Sequence, residues 1–275
     1  QFSGPPGDRA IIAIGSLPDP LFLNPFSLTV GIGGNIFVGA EDPLGNDILQ
    51  VVIRNNGNVF DVSTPGIGAG PLFDNLRDLT TYWDGSIIGV DSALDAVFQI
   101  DPLSGDRTII SGDPGGAGVG VGPVMVLPRS VTTDAQGMIW VGDNTRNALF
   151  LINPINGRRT IVSGDPTNKD IGSGPDFGTL RDIALHPSGD ILVADIANNA
   201  ILRVDPITGD RIVLSDNSTP DGINPFSQIA GAFARPNGQV FVGDTGLSPP
   251  AILRVDPTTG ARIVASDEPP NGNGP

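Results

Sequence analysis

The sequence predicts an all-β repeat protein, on three observations. Its 275 residues include 38 glycines and 26 prolines, nearly a quarter of the chain. Good surface helix formers are almost missing: only Glu41 and Glu268 are glutamates, and Lys169 is the one lysine. A short unit recurs along the whole chain at a pitch of about fifty residues. This composition excludes a helical bundle and disfavours an α/β sandwich. With 39% apolar residues gathered in regular Val/Ile/Leu runs, the chain also has the means to build a core, unlike a disordered one.

The repeat is clearest in four segments, Val97–Arg107, Leu149–Arg159, Ile201–Arg211 and Ile252–Arg262, which align almost without gaps. Upstream of each stands a short apolar run closed by an aspartate: Ile87 to Asp91, Ile139 to Asp143, Ile191 to Asp195 and Val240 to Asp244. A degenerate copy precedes them, with Ile36 to Ala40 and then Ile48 to Val51. In the fourth unit the reading is strand a at Arg181 to Leu185, b at Ile191 to Ala194, c at Ala200 to Val204 and d at Arg211 to Ser215. Turn chemistry separates them. Gly34, Gly85, Gly137, Gly189 and Gly238 mark the a–b turns, and Asp-Pro-x-Thr-Gly or its variants the c–d turns. There proline presets φ, aspartate caps the next amides, and glycine supplies the positive φ that closes the hairpin. Short antiparallel strands at this spacing are the blades of a β-propeller. The prediction is one five-bladed domain, with units at about 24–75, 76–127, 128–179, 180–226 and 227–268.

Residues Ile191–Asp205 carry a resemblance to NHL-repeat propellers, which extends over residues 24–266. What it implies is a fold. Propellers of this type serve enzymes, receptors and scaffolds alike, and the gluconolactonase-type lactonases have a related form.

A formal net charge of −15 disfavours nucleic acid and anionic lipid surfaces as partners. The absence of cysteine excludes disulfides, thiolate metal sites and cysteine nucleophiles. No apolar run approaches the roughly 20 residues that a membrane helix needs. The opening Gln1-Phe2-Ser3-Gly4 resembles a mature end left by processing, so a secreted, extracellular or periplasmic location is expected.

Two polar sets are candidates for a site. Asp91, Asp143, Asp195 and Asp244 begin four b–c turns, and a ring of carboxylates there would suit Ca²⁺. The competing role is capping the amides of their own turns, and recurrence in nearly every blade favours it. Arg77, Arg129 and Arg181 stand at the start of strand a in three consecutive units, where guanidinium groups would hold a carboxylate or sulfate, or else pair with the rim aspartates. His186, the sole histidine, falls in an a–b turn, where exposure to solvent and no catalytic role are expected. The glycine-rich linkers lack the Gly-Lys-Ser/Thr of a phosphate loop. No catalytic residue or cofactor is assigned.

One segment is left over. Gly7–Gly15 reads as a strand d without its own a, b and c, while the fifth unit already encodes Arg262–Ser266 as its outer strand. The expected function is therefore that of a secreted, non-catalytic structural or binding propeller, self-assembling if Arg9–Gly15 or Arg262–Ser266 pairs with a neighbouring molecule. The alternative is a metal-dependent hydrolase or lactonase with a carboxylate site at the central rim.

Overall fold

A computed structural model describes residues 23–52, 58–113, 118–167, 170–218 and 225–267. All regular structure among them is strand, in five four-stranded antiparallel sheets, the blades of a five-bladed β-propeller. The first sheet holds β1 (Leu23–Val30), β2 (Ile36–Glu41), β3 (Asp47–Val52) and β4 (Val59–Ser63). The second holds β5 (Leu76–Thr81), β6 (Ile87–Asp91), β7 (Ala96–Ile100) and β8 (Arg107–Gly112). The third contains β9 (Pro128–Thr133), β10 (Ile139–Asp143), β11 (Ala148–Ile152) and β12 (Arg159–Gly164). The fourth contains β13 (Leu180–Leu185), β14 (Ile191–Asp195), β15 (Ala200–Val204) and β16 (Arg211–Asp216). The fifth contains β17 (Ile229–Ala234), β18 (Val240–Asp244), β19 (Ala251–Val255) and β20 (Arg262–Asp267). In every sheet, sequence order is spatial order. The orphan strand expected at Arg9–Gly15 lies outside the described residues.

Two compact units divide the chain, one spanning residues 12–161 and the other residues 162–275 together with 1–11. In the first unit, Phe37, Leu49 and Val51 of the first sheet pack with Leu76, Leu79, Ile87, Phe98 and Ile100 of the second. The Phe73 and Phe98 rings meet edge to face at 5.3 Å. In the other unit, Leu192, Ala194 and Ile201 of the fourth sheet meet Phe226, Ile229, Val242, Leu253 and Val255. The second strands β6, β10 and β14 are buried along their whole length. A strand covered on both faces needs apolar residues at successive positions, so these runs do not alternate.

A second set of contacts repeats between consecutive sheets. The outer strand of one sheet is bulged just before its serine: Leu49 faces Ser63 and Val97 faces Ser111, while the next pairs are Gln50 with Asp61 and Phe98 with Ile109. The bulge turns the serine toward the c–d hairpin of the following sheet. Ser63, Ser111, Ser163 and Ser215 then donate to the carbonyls of Gly105, Gly157, Gly209 and Gly260 at 2.6–2.7 Å. Two residues beyond each of those glycines is an arginine. Arg107, Arg159, Arg211 and Arg262 are all at most 5% exposed, and each gives an Nη1 hydrogen to the same serine oxygen. Three of them also donate Nε to a linker carbonyl, of Pro71, Pro123 and Pro175. Phe73, Phe177 and Phe226 lie under the guanidinium groups of Arg107, Arg211 and Arg262. Four such serine–glycine–arginine latches, each between an outer strand and the c–d hairpin that follows it, stand among the described residues.

Candidate functional site

The four rim aspartates are buried, none more than 1% exposed. Each spends both carboxylate oxygens on backbone amides. Asp91 accepts from Asp74 and Asn75 with Oδ2 and from Ala93 and Leu94 with Oδ1, at 2.7–3.0 Å. Asp143 takes Val126 on one oxygen and Thr145 and Arg146 on the other. Asp195 takes Gly178 and the Asn198 side chain on Oδ2, and Thr179 and the Asn198 amide on Oδ1. Asp244 takes Ser227, Gln228 and Gly246. One carboxylate in each of these blades thus ties the incoming linker to the b–c turn. Among the described residues, no group of three or more His, Cys, Asp or Glu side chains is placed to hold a metal ion. A cation at these aspartates would have to displace amide bonds already made. Chelation is accordingly expected to leave the Tm unchanged in a thermal melt with and without EDTA; a lowered Tm would identify them as ligands.

Arg77, Arg129 and Arg181 share a local geometry. In β5 the register passes from Leu76 opposite Asp91 to Asp78 opposite Val90, so Arg77 is the extra residue of a β-bulge. The same shift isolates Arg129 in β9 and Arg181 in β13. Arg77 donates Nε to Ser92 Oγ at 3.2 Å, Arg129 is partly buried and Arg181 is exposed. None of the three has an ion pair with a rim aspartate among the described contacts.

Other carboxylates in the first unit are more perturbed, and the repeat pattern did not single them out. Burial, with Asp91 and Glu41 nearby, pushes Asp47 up to about 6 against the opposing hydrogen bond from the Leu76 amide. Burial also raises Asp78 to about 6, although Ser27 Oγ, the Leu79 amide and the Val131 amide all donate to it. Asp78 thereby ties three successive sheets together. Asp182 holds the matching position in the other unit and joins the fourth sheet to the fifth, accepting from the Ile183 and Ala232 amides. The available signal was the break in symmetry, since Ser27, Ser130 and Gly231 occupy that position in the other blades.

Asp95 is raised to about 6 by burial and then by the charges of Asp143, Asp91 and Asp113. A carboxyl whose folded pKa lies above its unfolded value costs stability once ionised, so stability falls as pH rises from about 4 through 6. Its backbone is left-handed at φ 48°, and Asn147 and Asn199 hold the matching turn positions at 49° and 46°. Asparagine is therefore at home there. Asp95→Asn is expected to stabilise the protein by about 1 kcal/mol at pH 7.5, after allowing for solvent screening, and by almost nothing at pH 4. Melts at the two pH values check the sign.

His186 corrects an expectation. It is buried, 8% exposed, with Nδ1 2.7 Å from Ser188 Oγ and Nε2 3.2 Å from the Gly238 carbonyl. Tyr82 has the equivalent place in the second sheet and donates its hydroxyl to the Gly137 carbonyl at 2.8 Å. Both side chains close onto the a–b turn of the next sheet. The histidine is a structural bridge.

The a–b and c–d turns present a different surface. Between the first and second sheets lies a cleft of about 780 Å³ with Phe37 and Val51 among its lining residues, along with Gln99, Asp84, Asp101 and Asp106. Ile32 and Leu103 also line it, 69% and 96% exposed. Trp83, one residue before Asp84, is 74% exposed. The lining residues carry three carboxylates and no cationic side chain. Asp84 and Asp101 cap their own turns, accepting from the Ser86 and Leu103 amides, Asp84 also accepts from the Gln99 side chain, and Asp106 accepts from the Ala69 amide of the preceding linker.

No protein-family model and no curated protein matches this chain in sequence. Solved structures match its fold. Virginiamycin B lyase from Staphylococcus aureus superposes with a TM-score of 0.60 at 16% identity, over 90% of this chain and 71% of that one. A chain of a nidogen/laminin complex gives 0.64 at 13% identity, over 87% and 78%. A gluconolactonase from Xanthomonas campestris gives 0.64 at 11% identity, over 88% and 75%. These likenesses establish the propeller architecture.

Proposed function

We propose that this NHL-like propeller is a non-catalytic, extracellular binding module, and that the cleft between its first and second sheets receives the ligand. The observation that carries the reading is the contrast between the two polar regions. Rim aspartates and latch arginines are committed to holding the fold, whereas the turn-side cleft combines an apolar floor with three carboxylates beside exposed Ile32, Trp83 and Leu103. Large exposed apolar side chains around a concave site favour contact with another molecule. A segment of polypeptide bearing Arg or Lys among aliphatic residues would suit both the charge and the floor. The nidogen/laminin complex is a similar fold found in a protein–protein assembly.

Selection from a displayed peptide library tests it. Wild-type protein is expected to enrich basic, aliphatic sequences that fail to bind the Trp83→Ser/Leu103→Ser variant. Equal enrichment on both proteins would end this reading.

A second reading, a metal-dependent hydrolase or lactonase, draws on the likeness to the gluconolactonase and on Asp47 and Asp95, whose raised pKa values suit proton transfer near neutral pH. Lactone hydrolysis that needs Ca²⁺ and is lost in Asp47→Asn would favour it over the binding module.

A further inference from the structure

The turn-side cleft coincides with a side-chain contact that two other turns make and this one lacks. Tyr82 opens the a–b turn of the second sheet, its amide donating to the Ser86 carbonyl and its carbonyl accepting from Gly85. By the same pair of backbone bonds, His186 holds that place in the fourth sheet and Gly31 in the first. Tyr82 Oη reaches the carbonyl of Gly137 and His186 Nε2 that of Gly238, each the turn glycine of the following sheet. The matching acceptor for the first sheet is the carbonyl of Gly85. Gly31 has no side chain to send to it. A Cβ there would lie 2.5 Å from Cε2 of Phe37, so the phenylalanine ring, which carries no donor, stands at that point instead. Gly85 lines the cleft, and among the described residues nothing donates to its carbonyl.

We infer that an arginine of the ligand fills this place, its guanidinium donating to the Gly85 carbonyl as Tyr82 donates to that of Gly137. The inference rests on the reading of the cleft as a peptide site and names the side chain it selects. A guanidinium is planar, like the phenol and imidazole in the sister positions, and unlike the phenol it brings a positive charge. The cleft supplies the countercharge. Asp101 and Asp106 spend Oδ1 on backbone amides, and no described group donates to either Oδ2. Phe37 and Val51 offer the aliphatic stem an apolar wall. A lysine ammonium would answer the charge, but it lacks the rigid fork that bonds a carbonyl and a carboxylate in fixed directions.

Titration of the isotope-labelled full chain with methylguanidinium, followed by NMR, tests the seat. The Gly85 carbonyl carbon, read through the Ser86 amide, is expected to move downfield and saturate, while methylammonium leaves it in place. Asp101→Asn/Asp106→Asn keeps an oxygen for each backbone amide and removes both charges, so it should weaken methylguanidinium binding about tenfold. A carbonyl that stays still, or moves equally with methylammonium, would overturn the guanidinium seat. So would peptides selected on the wild-type protein that exchange arginine for lysine without loss. The reading of the cleft fails separately: peptides that bind wild type and Trp83→Ser/Leu103→Ser alike would remove it as the ligand site, whatever the Gly85 carbonyl does.

Discussion

Gly209→Val is expected to destabilise the fold by about 3–5 kcal/mol, lowering the Tm by roughly 10 °C. Two effects add. Gly209 has φ +76°, which a β-branched residue scarcely adopts, and a Cβ there would stand 2.1 Å from the carbonyl oxygen of Val162. That carbonyl belongs to backbone just before the latch serine, whose hydroxyl is itself bonded to the Gly209 carbonyl. Gly189 supplies the comparison, with φ +96° and nothing within 4 Å of the added carbon. Gly189→Ala should therefore cost only the backbone strain, about 1 kcal/mol. Urea melts of Gly209→Ala and Gly189→Ala separate the clash from the dihedral. Equal losses would show that close approach at the hairpin contributes nothing.

Arg211→Met should cost about 3–5 kcal/mol while keeping the length of the side chain. The guanidinium is 2% exposed and donates to Ser163 Oγ, to the Pro175 and Ile171 carbonyls and to Asp170. Methionine leaves all four acceptors without that donor, in a site closed by Phe177. Arg203 provides the control. Its ion pair with Asp190 is partly exposed, so Arg203→Met should lose less than about 1 kcal/mol. A similar loss in both variants would remove the latch arginines from the account of how sheets are joined.

Local chemistry was legible in the sequence, and contacts between sheets were not. The hairpin glycines at 105, 157, 209 and 260 follow from turn rules alone, and all four have positive φ. The four strands of the fourth unit differ from expectation by at most one residue at an end. The arginines at the start of strand d were visible as a repeat, yet their partner is a serine some 44–48 residues earlier, which no turn rule connects. His186 misled for the same reason, because its turn is local while the Gly238 carbonyl that buries it lies 52 residues on. Arg77, Arg129 and Arg181 were recognised as a set, but only the register shows that a bulge isolates each. The cleft was not foreseen. It depends on how two turns and a hairpin of different sheets stand together, which no local turn rule specifies.

Hydrogen exchange read by mass spectrometry, with and without a peptide selected on the wild-type protein, tests the central claim most directly. Ligand on the turn-side cleft predicts new protection confined to residues 32–37, 83–86 and 99–108. Protection appearing instead at the b–c turns that begin with Asp91, Asp143, Asp195 and Asp244 would contradict the account and return the carboxylate rim to the position of binding site.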